Sequence, residues 1–229
     1  MKELSVKLTR RELIGGWIYF CIQLVALPFL IVLINAIFGN PMSEAMCNII
    51  FFFVNFIVVA ILFRKYLLGN LQIATGNPGR CLSSAFLGYA AYWLLNIFVS
   101  LFILAVKPDF ANVNDENINQ MMADHTALLS FATVVIVPVA EEVFFRGLMF
   151  GAVYNRNKTA AYLLTSLAFA AVHVIGYVGT TDTLTLSLCL LQYIPAGLCF
   201  GWAYARSNTL WAPILMHMFN NLVSISAMR

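Results

Sequence analysis

The sequence has very little charge: Asp, Glu, Lys and Arg make up only 10% of its 229 residues, whereas 62% are apolar. Soluble domains usually contain about 25% charged and about 45–50% apolar residues, because a solvated surface requires charge. A soluble enzyme, a disordered tail and a nucleic-acid-binding protein are therefore excluded. The composition predicts a polytopic membrane protein.

The sequence also lacks paired cysteine motifs and a cleavable leader. Its five cysteines show no CxxC or metal-ligand spacing, and four of them lie within apolar runs. We interpret each as a small buried hydrophobe rather than as a disulfide partner. The apolar run after the basic N-terminus is longer than a signal-peptide core of about 7–15 residues. It is therefore predicted to be an uncleaved first span.

Seven apolar segments are long enough to cross a hydrocarbon core of about 30 Å. The predicted fold class is all-α: a transmembrane helix bundle of about seven spans that forms a single membrane domain over residues 1–229. The longest connections are 64–83, with a predicted turn at Gly76, Asn77, Pro78 and Gly79, and 107–125, which is rich in Asn and Asp and is predicted to be an outer loop. The predicted spans are 13–38, 47–63, 84–106, 126–154, 159–178, 184–204 and 209–228.

The loop charges separate into two sets, which define a basic end and an acidic end of the bundle. By the positive-inside rule the basic end, with the N-terminus, is cytoplasmic, and the C-terminus lies on the other side. Such an arrangement suits a bacterial inner membrane. The basic end carries Lys2, Lys7, Arg10, Arg11, Arg64, Lys65, Arg80, Arg156, Lys158 and Arg206; the acidic end carries Glu44, Asp109, Asp115, Glu116, Asp124 and Asp182, with Lys107 and Arg229 as exceptions.

A few ionisable or amide side chains lie inside the predicted spans, where a charge costs about 2.5–3.5 kcal/mol. Counted from the basic end at about 1.5 Å per residue, Glu141 and His173 lie roughly 20 Å deep, and His217 and Asn221 roughly 14 and 20 Å. Three spans therefore place polar groups in one slab of the membrane. The full set is Glu141, Glu142, Arg146, His173, His217, Asn220 and Asn221.

These residue types fit a metal site, because two imidazoles and a carboxylate or amide oxygen are common ligands. A Glu beside such an ion is placed to take a proton from water. The spacing of Glu142 and Arg146 predicts an ion pair within the helix, which leaves Glu141 as the freer base. The same residues also fit a neutralising pair, packed histidines and interhelical amide bonds.

Three motifs in the second half resemble those of the CAAX protease and bacteriocin-processing (CPBP, formerly Abi) membrane family. They occur in the expected order, each on its own predicted span, and the resemblance covers about residues 126–228. Residues 1–125 are expected to be accessory spans. The matching residues are Glu141, Glu142 and Arg146 for EExxxR, Phe169 and His173 for FxxxH, and His217 and Asn221 for HxxxN.

The resemblance implies an intramembrane, glutamate-dependent metallo-endopeptidase that cleaves a membrane-associated peptide or protein. It implies that Glu141 activates water, that Glu142 also belongs to the catalytic set, and that Arg146 and Phe169 support the site. His173, His217 and Asn221 are the implied ligands of a divalent metal, with zinc the expected ion. Substrate is expected to enter from the cytoplasm or laterally from lipid, and nothing in the sequence predicts an oligomeric state.

Two other classes of function fit the same pattern. A non-catalytic scaffold or immunity protein would keep the fold without turnover, and a proton- or ion-coupled transporter would use the buried Glu and His residues as a relay. The absence of paired Gly- or Pro-broken segments in corresponding halves disfavours the transporter.

Overall fold

The computed structural model describes residues 3–227, apart from the side chains of residues 123–126. Lys2, Arg229 and the side chain of Asp124, all placed by the charge analysis, lie outside the described residues. The helices are α1 (Arg10–Ile37), α2 (Glu44–Leu62), α3 (Arg64–Gly76), α4 (Pro78–Val106), α5 (113–154), α6 (Lys158–Val174), α7 (Thr183–Ser207) and α8 (Trp211–Ala227).

The described residues form a helical bundle, which confirms the predicted all-α class. Six helices are long and apolar enough to cross a membrane: α1, α2, α4, the part of α5 from Ala127 to Tyr154, α6 with its 3-10 extension Ile175–Tyr177, and α7. The seventh predicted span corresponds to α8, which has 17 residues. The short helix α3 has a low mean hydropathy and connects α2 to α4 at the basic end.

The predicted turn at 76–79 coincides with the break between α3 and α4, but both long connections contain more helix than expected, because their polar residues start helices. The side chain of Asn77 accepts a hydrogen bond from the backbone of Arg80, and Pro78 follows as the first helical residue, so α4 begins several residues before the apolar run. Asn112 caps α5 in the same way, at the backbone N–H groups of Asn114 and Asp115. The capping chemistry of Asn was interpreted as turn chemistry.

The core lies where α5, α6 and α7 pack together, with α4 against α7. Close backbone approach requires glycine there: a Cβ on Gly197 of α7 would lie 2.6 Å from Cα of Ser166 in α6. A Cβ on Gly147 would lie 2.9 Å from the ring of Tyr66 in α3. Both glycines therefore lie at close-packed helix contacts.

A hydrogen-bonded network closes the basic end of the bundle. Glu12 of α1 is only 5% exposed, and its carboxylate accepts from the backbone N–H of Tyr66 at 3.0 Å while completing a capping box with Thr9. The hydroxyl groups of Tyr66 and Tyr204 lie 2.6 Å apart. Asn70 accepts from the backbone of Leu210 at 2.8 Å.

The segment from residue 3 to residue 9 lies across this end. Ser5 donates its backbone N–H to the side chain of Asn208 at 2.8 Å, and the side chain of Leu4 is buried. Residue 208 is in the left-handed region at φ 60°, a conformation that Asn tolerates well. The segment thereby ties the beginning of the chain to the turn between α7 and α8.

The cysteines are all free. Cys81, Cys189 and Cys199 are buried, as predicted, and Cys47 is half-buried. The prediction is wrong for Cys21, which is exposed on α1. A membrane-facing helix surface accepts a small apolar side chain as readily as a core does, so an apolar run does not distinguish the two.

Candidate active site

Two π-helical segments flank the Glu pair of α5. Residues Ala132–Ile136 precede the short α-helical stretch Val137–Glu142, and Val143–Phe150 follow it. Pro138 lies just after the first segment, and its missing N–H weakens the hydrogen-bond ladder of the turn before it. Each π-helical segment adds residues to a turn and so rotates the side chains that follow. Glu141 and Glu142 consequently face two different environments.

Glu142 is completely buried and joins two helices. Its Oε1 atom accepts from Nη1 of Arg146 at 3.1 Å and from Nδ1 of His217 at 3.0 Å. The ion pair within the helix is thus confirmed, and the same carboxylate also orients the imidazole of α8. Nδ1 of His217 makes this bond, so Nε2 is the nitrogen on the side of Glu141 and of the cavity described below.

Arg146 is enclosed by aromatic rings and backbone carbonyls. Its Nη2 atom donates to the carbonyl of Gly197 at 3.3 Å, and its guanidinium carbon lies 4.8 Å from the ring centroid of Phe169 and 5.0 Å from that of Phe200. A guanidinium placed over ring faces is stabilised by cation–π attraction. Phe169 and Arg146 therefore both pack beneath the Glu and His side chains.

Glu141 differs from its neighbour because its side chain is 25% exposed and lines the cavity. Its Oε2 atom lies 3.8 Å from Nε2 of His217, which is too far for a hydrogen bond. That oxygen is buried and has no hydrogen-bond partner. A buried acceptor of this kind requires a partner such as water or substrate.

His173 approaches the same cavity from α6. Its Nδ1 lies 2.7 Å from the carbonyl oxygen of Phe169, so Nδ1 carries the proton and Nε2 is the free nitrogen. The ring stacks on Tyr193 with centroids 4.4 Å apart. Among the described residues, it makes no hydrogen bond with Glu141, Glu142 or His217.

Asn221 lies one turn beyond His217 on α8, as its spacing predicted, and lines the cavity together with Asn220. Its amide nitrogen donates to the carbonyl of Thr133 at 2.9 Å. That carbonyl belongs to the first π-helical segment, where the α-helical pattern of backbone bonds is interrupted. Asn221 thus ties α8 to α5, in agreement with the interhelical reading of the amide.

Tyr193 is the residue of this site that sequence reasoning missed. Its hydroxyl accepts from the side chain of Asn114 at 3.1 Å and lies 3.3 Å from Oδ1 of Asn112 and 3.5 Å from Oδ1 of Asp115. Burial raises the pKa of the Asp115 carboxyl above its usual value, and the hydrogen bond from Tyr193 offsets part of that rise. A Tyr inside an apolar span carries no motif, so only the contacts identify it.

One cavity of about 810 Å³ connects these side chains, with Glu141, His173, His217 and Asn221 at its inner end. Its outer part is formed by the starts of α2 and α5 and by the ends of α6 and α8, at Glu44, Asn114, Gly176 and Ser224. All of these belong to the acidic end. Of the two expected routes, an opening at the basic, predicted cytoplasmic end is absent from the described residues, because the hydrogen-bonded network closes that end. Lateral entry from lipid stays a prediction.

The donor chemistry at the inner end fits a divalent metal, although the spacing does not gather a complete ligand set. His173 and His217 each have Nδ1 fixed by an acceptor and Nε2 available, the usual arrangement of metal-binding imidazoles. Within the part of the chain that the structure describes, no three His, Cys, Asp or Glu side chains converge on a metal-binding position.

Comparison with known proteins finds a family match over the second half of the chain. Residues 123–223 match the family described as "Type II CAAX prenyl endopeptidase Rce1-like". The chain is 33% identical over 95 residues to "Putative membrane peptidase YdiL" of Bacillus subtilis, covering 41% of this chain and 34% of that protein. It is 27% identical over 135 residues to "UPF0177 protein YxdF" of Lactococcus lactis, covering 58% of this chain and 70% of that protein. No solved structure matches the chain.

The resemblance to the CPBP family is thereby confirmed over residues 123–223, which contain all three motifs. The match spans about a third of the length of YdiL. That family consists of membrane proteases. The match to it, together with the apolar helices, indicates that this chain is an integral membrane protein.

Proposed function

We propose that this chain, whose residues 123–223 match the Rce1-like family, is an intramembrane endopeptidase in which Glu141 activates the attacking water. The observation that carries the proposal is that two adjacent carboxylates have different surroundings. Glu142 is fully buried outside the cavity and binds Arg146 and His217 through Oε1, whereas Glu141 lines the cavity and has an oxygen without a partner.

The reaction is the hydrolysis of a peptide bond. Water gives a proton to the Glu141 carboxylate while its oxygen bonds to the scissile carbonyl carbon. The C–N bond then breaks, and the proton held by Glu141 passes to the leaving amine nitrogen. The products are a new carboxyl group and a new amine, and the Glu141 carboxylate is restored.

His217 and His173 position the reacting groups. Nε2 of His217 lies 3.8 Å from Glu141 Oε2, a separation that one water molecule bridges. Glu142 and Arg146 hold that imidazole in the required tautomer. His173, oriented by Phe169 and Tyr193, supplies a second Nε2 from the facing helix.

A divalent metal, with zinc the expected ion, is part of the proposal at the level of donor chemistry. His173, His217 and Asn221 would hold it. When bound, the ion would polarise the scissile carbonyl and lower the pKa of nearby water. The roles of the chain's own residues described above apply with or without the ion.

The substrate class follows from the location of the site. Glu141 lies in the middle of a span, so a soluble peptide would have to leave water to reach it. A membrane-associated peptide or protein in the lipid bilayer, here a bacterial inner membrane, is the fitting substrate. Nothing in the site identifies a prenyl group.

The test is a comparison of new protein N-termini in membranes that contain the wild type or Glu141→Gln at equal levels. N-terminal labelling and mass spectrometry should find termini that depend on the wild type and are lost in Glu141→Gln and His217→Ala. Glu116→Gln, which alters an exposed carboxylate of α5 outside the cavity, should retain them. Identical termini in wild type and Glu141→Gln would overturn the peptidase proposal and favour a scaffold.

The metal has a separate test. Elemental analysis of detergent-purified protein should find about one equivalent in the wild type and much less in His173→Ala and His217→Ala, with Glu116→Gln unchanged. No metal above background in folded wild type would exclude a tightly bound ion and leave Glu141 and the histidines to act on water alone.

A further inference from the structure

The cavity is strongly asymmetric along the bundle. Its lining includes Glu44, Asn112 and Tyr177, which lie at helix ends on the acidic side. Within the described part of the chain, no residue of α3 or of the turns around 156 and 208 lines it. Its mouth reaches the surface at Glu44, Gly176 and Ser224, all of which are exposed.

The mouth is also asymmetric in charge. Glu44 and Asp115 line it, and no Lys or Arg does so among the described residues. Lys107, a cation of the acidic end, does not line the mouth and pairs with Asp182 at 3.7 Å and with the Thr185 hydroxyl at 2.9 Å. Acidic groups in a cleft with low-dielectric walls concentrate the field and attract cations.

One wall of the cavity is apolar and borders lipid. Leu24 and Val32 of α1 line the cavity and are also exposed large hydrophobic residues. Phe51 and Phe52 of α2 continue this wall. An apolar segment lying between α1 and the site would therefore contact side chains on one side and lipid on the other.

The inner end of the cavity carries a buried polar group directed toward it. His217 is 4% exposed, lines the cavity, and makes its hydrogen bond through Nδ1, so that Nε2 has none. The acidic mouth, the apolar wall and this free nitrogen belong to one continuous space. The mouth is therefore the approach to the proposed catalytic groups rather than a separate surface feature.

We propose that the substrate enters through this mouth, as a membrane-inserted peptide segment whose flank at the acidic end is positively charged. That the entering segment is a substrate rests on the proposed function, whereas the route and its charge preference are properties of the cavity. The apolar part of the segment lies along the wall formed by α1 and α2, and its basic flank lies at Glu44 and Asp115. Cleavage then occurs near the middle of the membrane.

Sidedness is tested with membrane-impermeant thiol reagents on oriented vesicles. Thr133→Cys places a thiol in the cavity wall, and Thr75→Cys places one on the exposed surface of α3 at the basic end. Peptide mass spectrometry reads each position separately, so the native cysteines remain. Thr133→Cys should be labelled only from the face opposite to that which labels Thr75→Cys. Labelling of both from one face, or of Thr133→Cys from neither, overturns the proposal.

Charge preference is tested with a cationic and an anionic methanethiosulfonate of similar size on Thr133→Cys. At low salt the cationic reagent should react at least about tenfold faster, after correction for their rates with a free thiol, and salt should reduce the ratio. Glu44→Gln and Asp115→Asn should lower the ratio, whereas Glu116→Gln should not. A corrected ratio near one, or an equal effect of Glu116→Gln, overturns the charge preference.

The labelling does not depend on turnover, so it separates the two proposals. We expect the same sidedness and charge ratio in a Glu141→Gln background. If wild type and Glu141→Gln membranes show identical N-termini while the labelling pattern holds, the peptidase proposal fails and the cation-selective route stands. If cleavage holds and the labelling pattern fails, only the route is wrong.

Discussion

The two ends of this bundle differ in how their polar groups are satisfied. At the basic end Glu12, Tyr66, Asn70 and Tyr204 are buried and bond to one another or to backbone groups. At the acidic end the polar groups, such as Asn114 and Tyr193, also bond to one another but line a cavity. A lost bond leaves an unsatisfied buried group at the first end, while at the second end water replaces it. The polar groups of the basic end therefore contribute to stability, whereas those of the acidic end line a route to the site.

The largest effect on stability is expected at the buried pair of Arg146 and Glu142, which lies between the two ends. Arg146→Ala leaves the Glu142 carboxylate buried without its cation and removes the ring contacts with Phe169 and Phe200. We expect a loss of about 3–5 kcal/mol in the free energy of unfolding. Denaturation in mixed micelles measures it.

The matched control is Lys7→Ala, which breaks a pair with Glu3 in which both side chains are largely exposed. Its cost should stay within about 1 kcal/mol. If Arg146→Ala lowered the free energy of unfolding no more than Lys7→Ala does, water would already reach the buried pair. That result would contradict the contrast between the two ends.

Glu12→Ala should have the next largest effect. The substitution removes the capping box of α1 and leaves the backbone N–H of Tyr66 without its acceptor. Hydrogen bonds to charged groups contribute about 1.5–3 kcal/mol, and we expect a loss in that range. The same denaturation assay checks it, with Glu3→Ala as the exposed control. Equal stability of the two variants would contradict a closed basic end.

Tyr66→Phe should cost about 1 kcal/mol, because the hydroxyl of Tyr204 loses its partner inside the protein. The ring remains, so the contact with Gly147 is retained. A double-mutant cycle with Tyr204→Phe isolates the pair, and the two losses should be less than additive. Strict additivity would show that the two hydroxyls do not interact.

Tyr193→Phe is the counterpart at the acidic end and should have the smallest effect on stability, below about 0.5 kcal/mol. It removes the same hydroxyl group, but Asn112, Asn114 and Asp115 line the cavity, where water can replace it. The stacking on His173 is kept.

Tyr193→Ala removes that stacking as well. We expect His173 to react several-fold faster with diethyl pyrocarbonate in this variant, as mapped by mass spectrometry, and at the wild-type rate in Tyr193→Phe. If Tyr193→Phe lost as much stability as Tyr66→Phe, water would not replace the lost hydroxyl at the acidic end. The polar groups of the two ends would then depend equally on partners within the protein.

The sequence was sufficient for the helical class, the first-approximation spans and the Glu142–Arg146 pair, because hydropathy and helical spacing are local signals. It was insufficient where one residue type serves two purposes. Asn77 and Asn112 start helices, although their surroundings resembled turns. Glu12 lies at the edge of the first span, where no local pattern indicates that it joins α1 to α3.

Within the site, the spacing of the motifs predicted which residues take part but not which hydrogen bonds they make. The motif placed Glu141 and Glu142 together, and the helical separation of about 100° suggested different roles. The bond from His217 to Glu142 depends on the packing of α8 against α5, which no local pattern specifies. Likewise, the direction of the cavity depends on which end the packed helices leave open.

The contact between residue 5 and residue 208 has a consequence for the synthesis of the protein. These residues are 203 positions apart, so at about 5–20 residues per second the segment around Ser5 waits roughly 10–40 s for its partner to be made. The pairs Tyr66–Tyr204 and Asn70–Leu210 also span more than a hundred residues. The closed end of the bundle is therefore completed only after α7 and the turn that follows it have been made, and a nascent chain halted before α7 would expose Leu4 and Glu12 to the cellular machinery that removes unfinished membrane proteins.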